Sequence, residues 1–129
     1  MTISGLDHFN IKASEADMAR IKAFYTDLLG LKEGLRPASI PGKGAWLYAG
    51  EKPLLHLSVV DDVEVNAALN PNLDHIAFRC QGIGRYIERL EQSDIEYLLV
   101  RTPELDMIQI FFYDPAGIRI EMNVVGESV

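Results

Sequence analysis

Four residues carry donor chemistry that a single site could use: His8, His56, His75 and Glu121. Imidazole nitrogens combined with a carboxylate oxygen suit a borderline divalent cation such as Zn²⁺, Ni²⁺, Co²⁺, Fe²⁺ or Mn²⁺. Taken singly, a histidine on a strand is more often a hydrogen-bonded structural residue than a ligand, and a lone glutamate is more often solvated. Their spacing changes that reading. Leu-Asp-His occurs twice, in "LDHFNI" and "LDHIAF", with His8 and His75 67 residues apart. Independently, "LYAGEKPLLHL" overlies "FYDPAGIRIEM" at an offset of 65, which pairs Tyr48 with Tyr113 and His56 with Glu121. The change of two falls in intervening loops, where insertions are tolerated. One internal duplication therefore relates all four residues, and all three histidines of the chain occupy repeat-equivalent positions.

The elements that must position them follow the same repeat. Residues 6–12 alternate, with Asp7, Phe9 and Ile11 on one face and His8, Asn10 and Lys12 on the other, which predicts a strand. Over 15–29, Met18, Ile21, Phe24, Tyr25 and Leu28 recur at helical spacing, Ser14 is placed as the N-cap and Gly30 as the stop. A Gly/Pro-bearing segment, "EGLRPASIPGKG", precedes two apolar runs, "AWLYAG" and "PLLHLSVV". In the second half, 74–80 alternates, and Ile83, Tyr86, Ile87 and Leu90 predict a helix ending near Ser93 and Asp94. The runs "IEYLLV", "MIQIFFY" and "IRIEMNV" follow. The order is β-α-β-β-β, twice.

Side-chain parity groups the candidates. Ile118, Ile120, Met122 and Val124 oppose Arg119, Glu121 and Asn123, while Leu55, Leu57 and Val59 oppose His56 and Ser58. Each candidate thus lies opposite the aliphatic face that would pack on a helix. Burying such polar groups without a partner costs on the order of several kcal/mol for an ionised carboxylate, a cost a cation would offset.

Composition bounds the rest. With 129 residues, 48% hydrophobic and 24% charged, the chain fits one domain, with modules over 1–60 and 73–129 joined by a polar linker at 61–72. A net charge of −7 argues against a nucleic-acid or anionic-membrane partner and favours a small-molecule ligand. The single cysteine, Cys80, excludes an internal disulfide framework and reads as a small buried side chain rather than a nucleophile. Neither a leader nor an apolar run of the roughly 20 residues a bilayer needs is evident, so a cytoplasmic location is expected.

Paired β-α-β-β-β modules bearing "LDHFNI", "LLHL", "LDHIAF" and "DPAGIRIEM" resemble the vicinal oxygen chelate superfamily, which includes glyoxalase I, bleomycin-resistance proteins, extradiol dioxygenases and fosfomycin-resistance enzymes. The resemblance covers almost the whole chain and is strongest toward glyoxalase I-like single-domain proteins. It implies an α+β fold in which two tandem modules form a curved mixed sheet around a cavity. A divalent metal would be held by His8, His75 and Glu121, with His56 at a fourth ligand position where glyoxalase I commonly has an acidic or amide residue. It further implies a lyase or isomerase that acts on a small oxygenated substrate through a metal-stabilised enediolate or oxyanion. Glu121 would double as the proton-transferring base, with glutathione as a co-substrate.

A homodimer is expected, the modules pairing within one chain or exchanging between two. By parity, Asn10, Arg79, Phe111, Tyr113, Arg119 and Asn123 would contact substrate, although aromatic residues in strands, Trp46 and Tyr48 included, are more often core. The loop over 34–44 would cover the cavity or lie solvated, with Arg36 or Lys43 available to an anionic substrate. Three other functions stay open. A drug-sequestering protein of the bleomycin-resistance kind would bury its ligand without metal. A fosfomycin-type transferase would use the inward cations Lys12, Arg79 and Arg119. An extradiol dioxygenase would need a further acid/base histidine, which this chain lacks if His56 is a ligand.

Overall fold

A computed structural model describes residues 1, 5–62 and 72–129. The chain divides into two compact units, Met1–Leu69 and Asn70–Val129. Most of the expected linker lies outside the described residues. Each unit contains one four-stranded mixed sheet, and the α+β content and doubled β-α-β-β-β order expected from the sequence are both present.

In the first unit the elements are β1 (Phe9–Ala13), α1 (Glu15–Ala23), β2 (Lys32–Gly34), β3 (Gly44–Ala49) and β4 (Lys52–Val59), with sheet order β1-β4-β3-β2. Strand β1 begins at Phe9 rather than at residue 6, because its parallel ladder with β4 starts at the Phe9–Leu55 pair. His8 therefore stands just ahead of the strand. Ser14 caps α1, its side chain accepting from the Asp17 N–H, and Glu15 and Asp17 complement the helix dipole. The regular helix ends sooner than the apolar pattern predicts and continues as a π-helical turn, Phe24–Leu28. Consecutive Phe24 and Tyr25 are both buried, which a widened turn accommodates. Met18 and Ile21 are buried on α1, which lies against β4. Strand β2 overlaps the start of the segment read as loop. Gly44 permits a close approach of β3 to β4: a Cβ there would run into the Leu57 carbonyl oxygen.

The second unit runs β5 (His75–Arg79), α2 (Ile83–Gln92), β6 (Leu98–Thr102), a 3₁₀ turn (Pro103–Leu105), β7 (Met107–Tyr113) and β8 (Arg119–Val125), with order β5-β8-β7-β6. Its buried residues Ile108, Ile110, Phe112, Ile120, Met122 and Val124 alternate along β7 and β8, so the opposite faces of those strands are free for chemistry. Ile83 and Leu90 of α2 are buried as well. The turn after β7 is built on Asp114, buried and accepting from the Ala116 and Ile118 N–H groups at 2.9 and 2.8 Å.

Strand register reproduces both sequence offsets. In the first unit Asn10 pairs with His56, and in the second Ala77, 67 residues on from Asn10, pairs with Glu121, 65 on from His56. Trp46 pairs with His56 as Phe111 pairs with Glu121. Among the described residues no helix is long and apolar enough to cross a membrane.

Candidate functional site

In the first unit His8 and His56 come together. Their rings stack with centroids 3.8 Å apart, and Trp46, paired with His56 across β3 and β4, stacks on the other face at 4.0 Å. His56 is thus the middle layer of a three-ring sandwich. Its Nε2 is shut off from solvent and has no hydrogen-bond partner among the described residues. Burial, followed by repulsion from His8, lowers the His56 pKa, against the opposing pull of the Pro53 carbonyl and Asp7. A buried neutral imidazole nitrogen with an unused lone pair is a competent ligand atom. His8 Nδ1 lies 2.6 Å from Asp7 Oδ1, and this hydrogen bond lowers the Asp7 pKa. Proton donation from Nδ1 leaves Nε2 as the free donor atom of that ring.

The second unit repeats the histidine–aspartate pair. His75 Nδ1 is 2.7 Å from Asp74 Oδ2, and Arg119 Nη1 donates to the same oxygen at 3.1 Å. Both bonds, His75 first, lower the Asp74 pKa. The other ring nitrogen, Nε2, stands 2.8 Å from Glu121 Oε2. With Nδ1 donating to Asp74, two lone pairs face each other across that gap, and a proton or a cation has to reconcile them. Glu121 is only 6% exposed, yet the Gln109 amide donates to its Oε1 at 2.5 Å, and Gln109 Oε1 accepts from Thr102 Oγ1 at 3.2 Å. Hydrogen bonds to a charged group are worth roughly 1.5–3 kcal/mol, enough to hold a buried carboxylate that would otherwise be costly.

Among the described residues no group of three or more His, Cys, Asp or Glu side chains is placed to hold a metal ion; the candidates lie as two pairs, one in each unit. The expected substrate residues divide. Arg119 covers the Phe111 ring at 4.5 Å, and Phe111 meets His75 edge-on at 6.3 Å. Phe111, Arg119 and Tyr113 line a cleft of about 370 Å³ with Leu98, Tyr97 and Glu96. Asn10 is exposed and accepts from Ser58 Oγ at 2.9 Å. Asn123 Oδ1 is buried and has no partner among the described residues. Arg79 is exposed on β5.

Two expectations change. Trp46 and Tyr48, strand aromatics expected in the core, are half-buried on the face opposite the aliphatic layer; Phe111, half-buried, and Tyr113, 61% exposed, also lie outside the core. Arg36 is committed to its own loop, donating to the Ile40, Pro41 and Gly42 carbonyls, while Lys43 pairs with Glu15 at 2.9 Å. Sequence reasoning gave no role to Asp7, Asp74, Thr102 or Gln109. For the two aspartates the signal was present, since each precedes a repeat-related histidine. For the other two it lies in strand register, which a single sequence does not display.

A model of the glyoxalase/bleomycin resistance protein/dioxygenase superfamily matches residues 5–122. "Glyoxylase I 4" of Arabidopsis thaliana is 32% identical over 125 residues, covering 93% of this chain and 70% of that protein. Among solved structures, a Bacillus anthracis protein assigned to the glyoxalase family superposes with a TM-score of 0.75 at 26% identity, over 97% of this chain and 98% of the other. A mutant of the fosfomycin resistance protein FosX of Listeria monocytogenes, complexed with Mn(II) and 1S,2S-dihydroxypropylphosphonic acid, shares the fold. Its TM-score is 0.71 at 20% identity, covering 96% and 94% of the two chains.

Proposed function

Because the chain belongs to the glyoxalase/bleomycin resistance protein/dioxygenase superfamily, we propose that it is a divalent-metal-dependent enzyme of the glyoxalase type, a lyase or isomerase that acts on a small oxygenated substrate. The observation that carries the reading is His56 Nε2, a buried ligand-competent nitrogen that meets no partner among the described residues. The donor chemistry fits a borderline cation: three imidazoles, two of them oriented by aspartates, and one buried carboxylate. We assign His8, His56, His75 and Glu121 as the candidate metal-holding residues. When bound, such an ion supplies Lewis-acid stabilisation of negative charge on substrate oxygens.

The chain's own residues supply the remainder. Glu121 is the proposed proton-transferring base. Phe111, Tyr113 and Arg119 form an amphipathic wall for the substrate body, with Asn10, Arg79 and Asn123 as further polar contacts. Glutathione is the proposed co-substrate, in keeping with the likeness to "Glyoxylase I 4".

The test begins with elemental analysis of protein purified without chelator, then assays isomerisation of the hemithioacetal formed by methylglyoxal and glutathione. Bound metal and turnover are expected, with Glu121→Gln losing both tight metal binding and activity. Full turnover by that variant would remove the base role. Metal-free protein that sequesters an aromatic drug would instead favour the binding-protein reading.

A further inference from the structure

Glu121 is approached from the strand side by a diagonal line of side chains. Gln109 pairs with Asn123 across β7 and β8, and Phe111 pairs with Glu121, so Gln109 and Glu121 are diagonal neighbours on one face. Val100 pairs with Gln109 and Thr102 with Met107 across β6 and β7, which makes Thr102 the next diagonal step. Distances follow suit: Thr102 Oγ1 to Gln109 Oε1 is 3.2 Å and Gln109 Nε2 to Glu121 Oε1 is 2.5 Å.

The polarity of the line is fixed. An ionised carboxylate only accepts, so Gln109 must turn its amide N–H toward Glu121; its carbonyl then faces β6, where the Thr102 hydroxyl donates. One oxygen of Glu121 is thereby occupied by a neutral donor, and Oε2 alone is left toward His75 Nε2, 2.8 Å away. A lysine or arginine in place of Gln109 would compete with a bound cation for the carboxylate's charge, whereas an amide orients the group and leaves that charge in place. The first unit lacks the device. Gly44 stands where Gln109 does, pairing with Ser58 as Gln109 pairs with Asn123.

We propose that Gln109, braced by Thr102, is a positioning residue that holds Glu121 as a single-oxygen ligand for a divalent cation. This rests on the assignment of Glu121 as a ligand. The test titrates Co²⁺ into the metal-free full chain for the wild type, Gln109→Leu, Thr102→Val and Glu121→Gln, reading the dissociation constant by calorimetry and the visible absorption of the bound ion. Gln109→Leu should bind roughly 10- to 100-fold more weakly, the range typical of lost outer-shell partners, and shift the Co²⁺ spectrum. Thr102→Val should shift both the same way by a smaller factor. Thr102→Val also keeps the test decisive if Gln109→Leu does not fold, because it leaves strand shape intact. Wild-type affinity and spectrum in both variants, alongside weakened binding in Glu121→Gln, would overturn the positioning role alone. Wild-type affinity in Glu121→Gln would overturn the ligand assignment and this inference with it.

Discussion

Each Leu-Asp-His places an acid directly before an imidazole, and the structure gives that adjacency a purpose. Asp7 and Asp74 engage the Nδ1 atoms of His8 and His75 at 2.6 and 2.7 Å, which fixes ring orientation and tautomer and directs both Nε2 atoms away from their own backbones. Cys80 shows the opposite situation, a reactive atom silenced by its surroundings. Burial, aided by the charge of Glu127, pushes its thiol up to about 11. At pH 8 only about one thiol in a thousand would be ionised, against roughly a quarter for an ordinary cysteine. Iodoacetamide should therefore alkylate the native protein at pH 8 on the order of a hundredfold more slowly than the urea-unfolded chain, with the two rates converging as pH nears 11. Equal rates across pH 7–9 would show that Cys80 is an ordinary exposed thiol.

At the scale of elements, helix α2 depends on a residue far from it in the chain. Its N-cap, Gly82, has φ +80° and offers no side chain, so the first N–H groups need an acceptor from elsewhere. Glu127 provides one, accepting from Gly82 N–H at 2.8 Å and Ile83 N–H at 3.0 Å, and these bonds lower its pKa. A carboxyl group whose folded-state pKa is depressed stabilises the fold above its unfolded pKa and loses that effect as pH falls through the folded value. Glu127→Ala should thus melt below the wild type at pH 7, and the two melting curves should draw together as pH falls from roughly 4.3, the ordinary glutamate value, through the depressed folded-state value, where the wild-type cap loses its charge. A difference that persists unchanged below that value would show that charge has no part in the cap.

The α1 cap was legible from Ser14 because its partner is three residues away. The α2 cap was not, because its partner is 44 residues away and reaches it only once β8 is laid down. Strands β3, β4, β7 and β8 were legible because alternation is a local property. Three-residue β2, exposed and overlapping the start of a Gly/Pro run, and the π turn, which holds two adjacent buried aromatics, follow no local period.

For the whole molecule, duplication is written most firmly in the ladders: both halves keep the same pairing, displaced by the same two offsets that the sequence shows. The halves have nonetheless diverged in how they support their donors. One holds His56 between aromatic rings and leaves Nε2 dry and unpaired among the described residues; the other flanks Glu121 with an amide and an imidazole. The histidine and glutamate positions were readable because a repeat marks them twice. The supporting Gln109 and Thr102 were not, since nothing in the first half corresponds to that line.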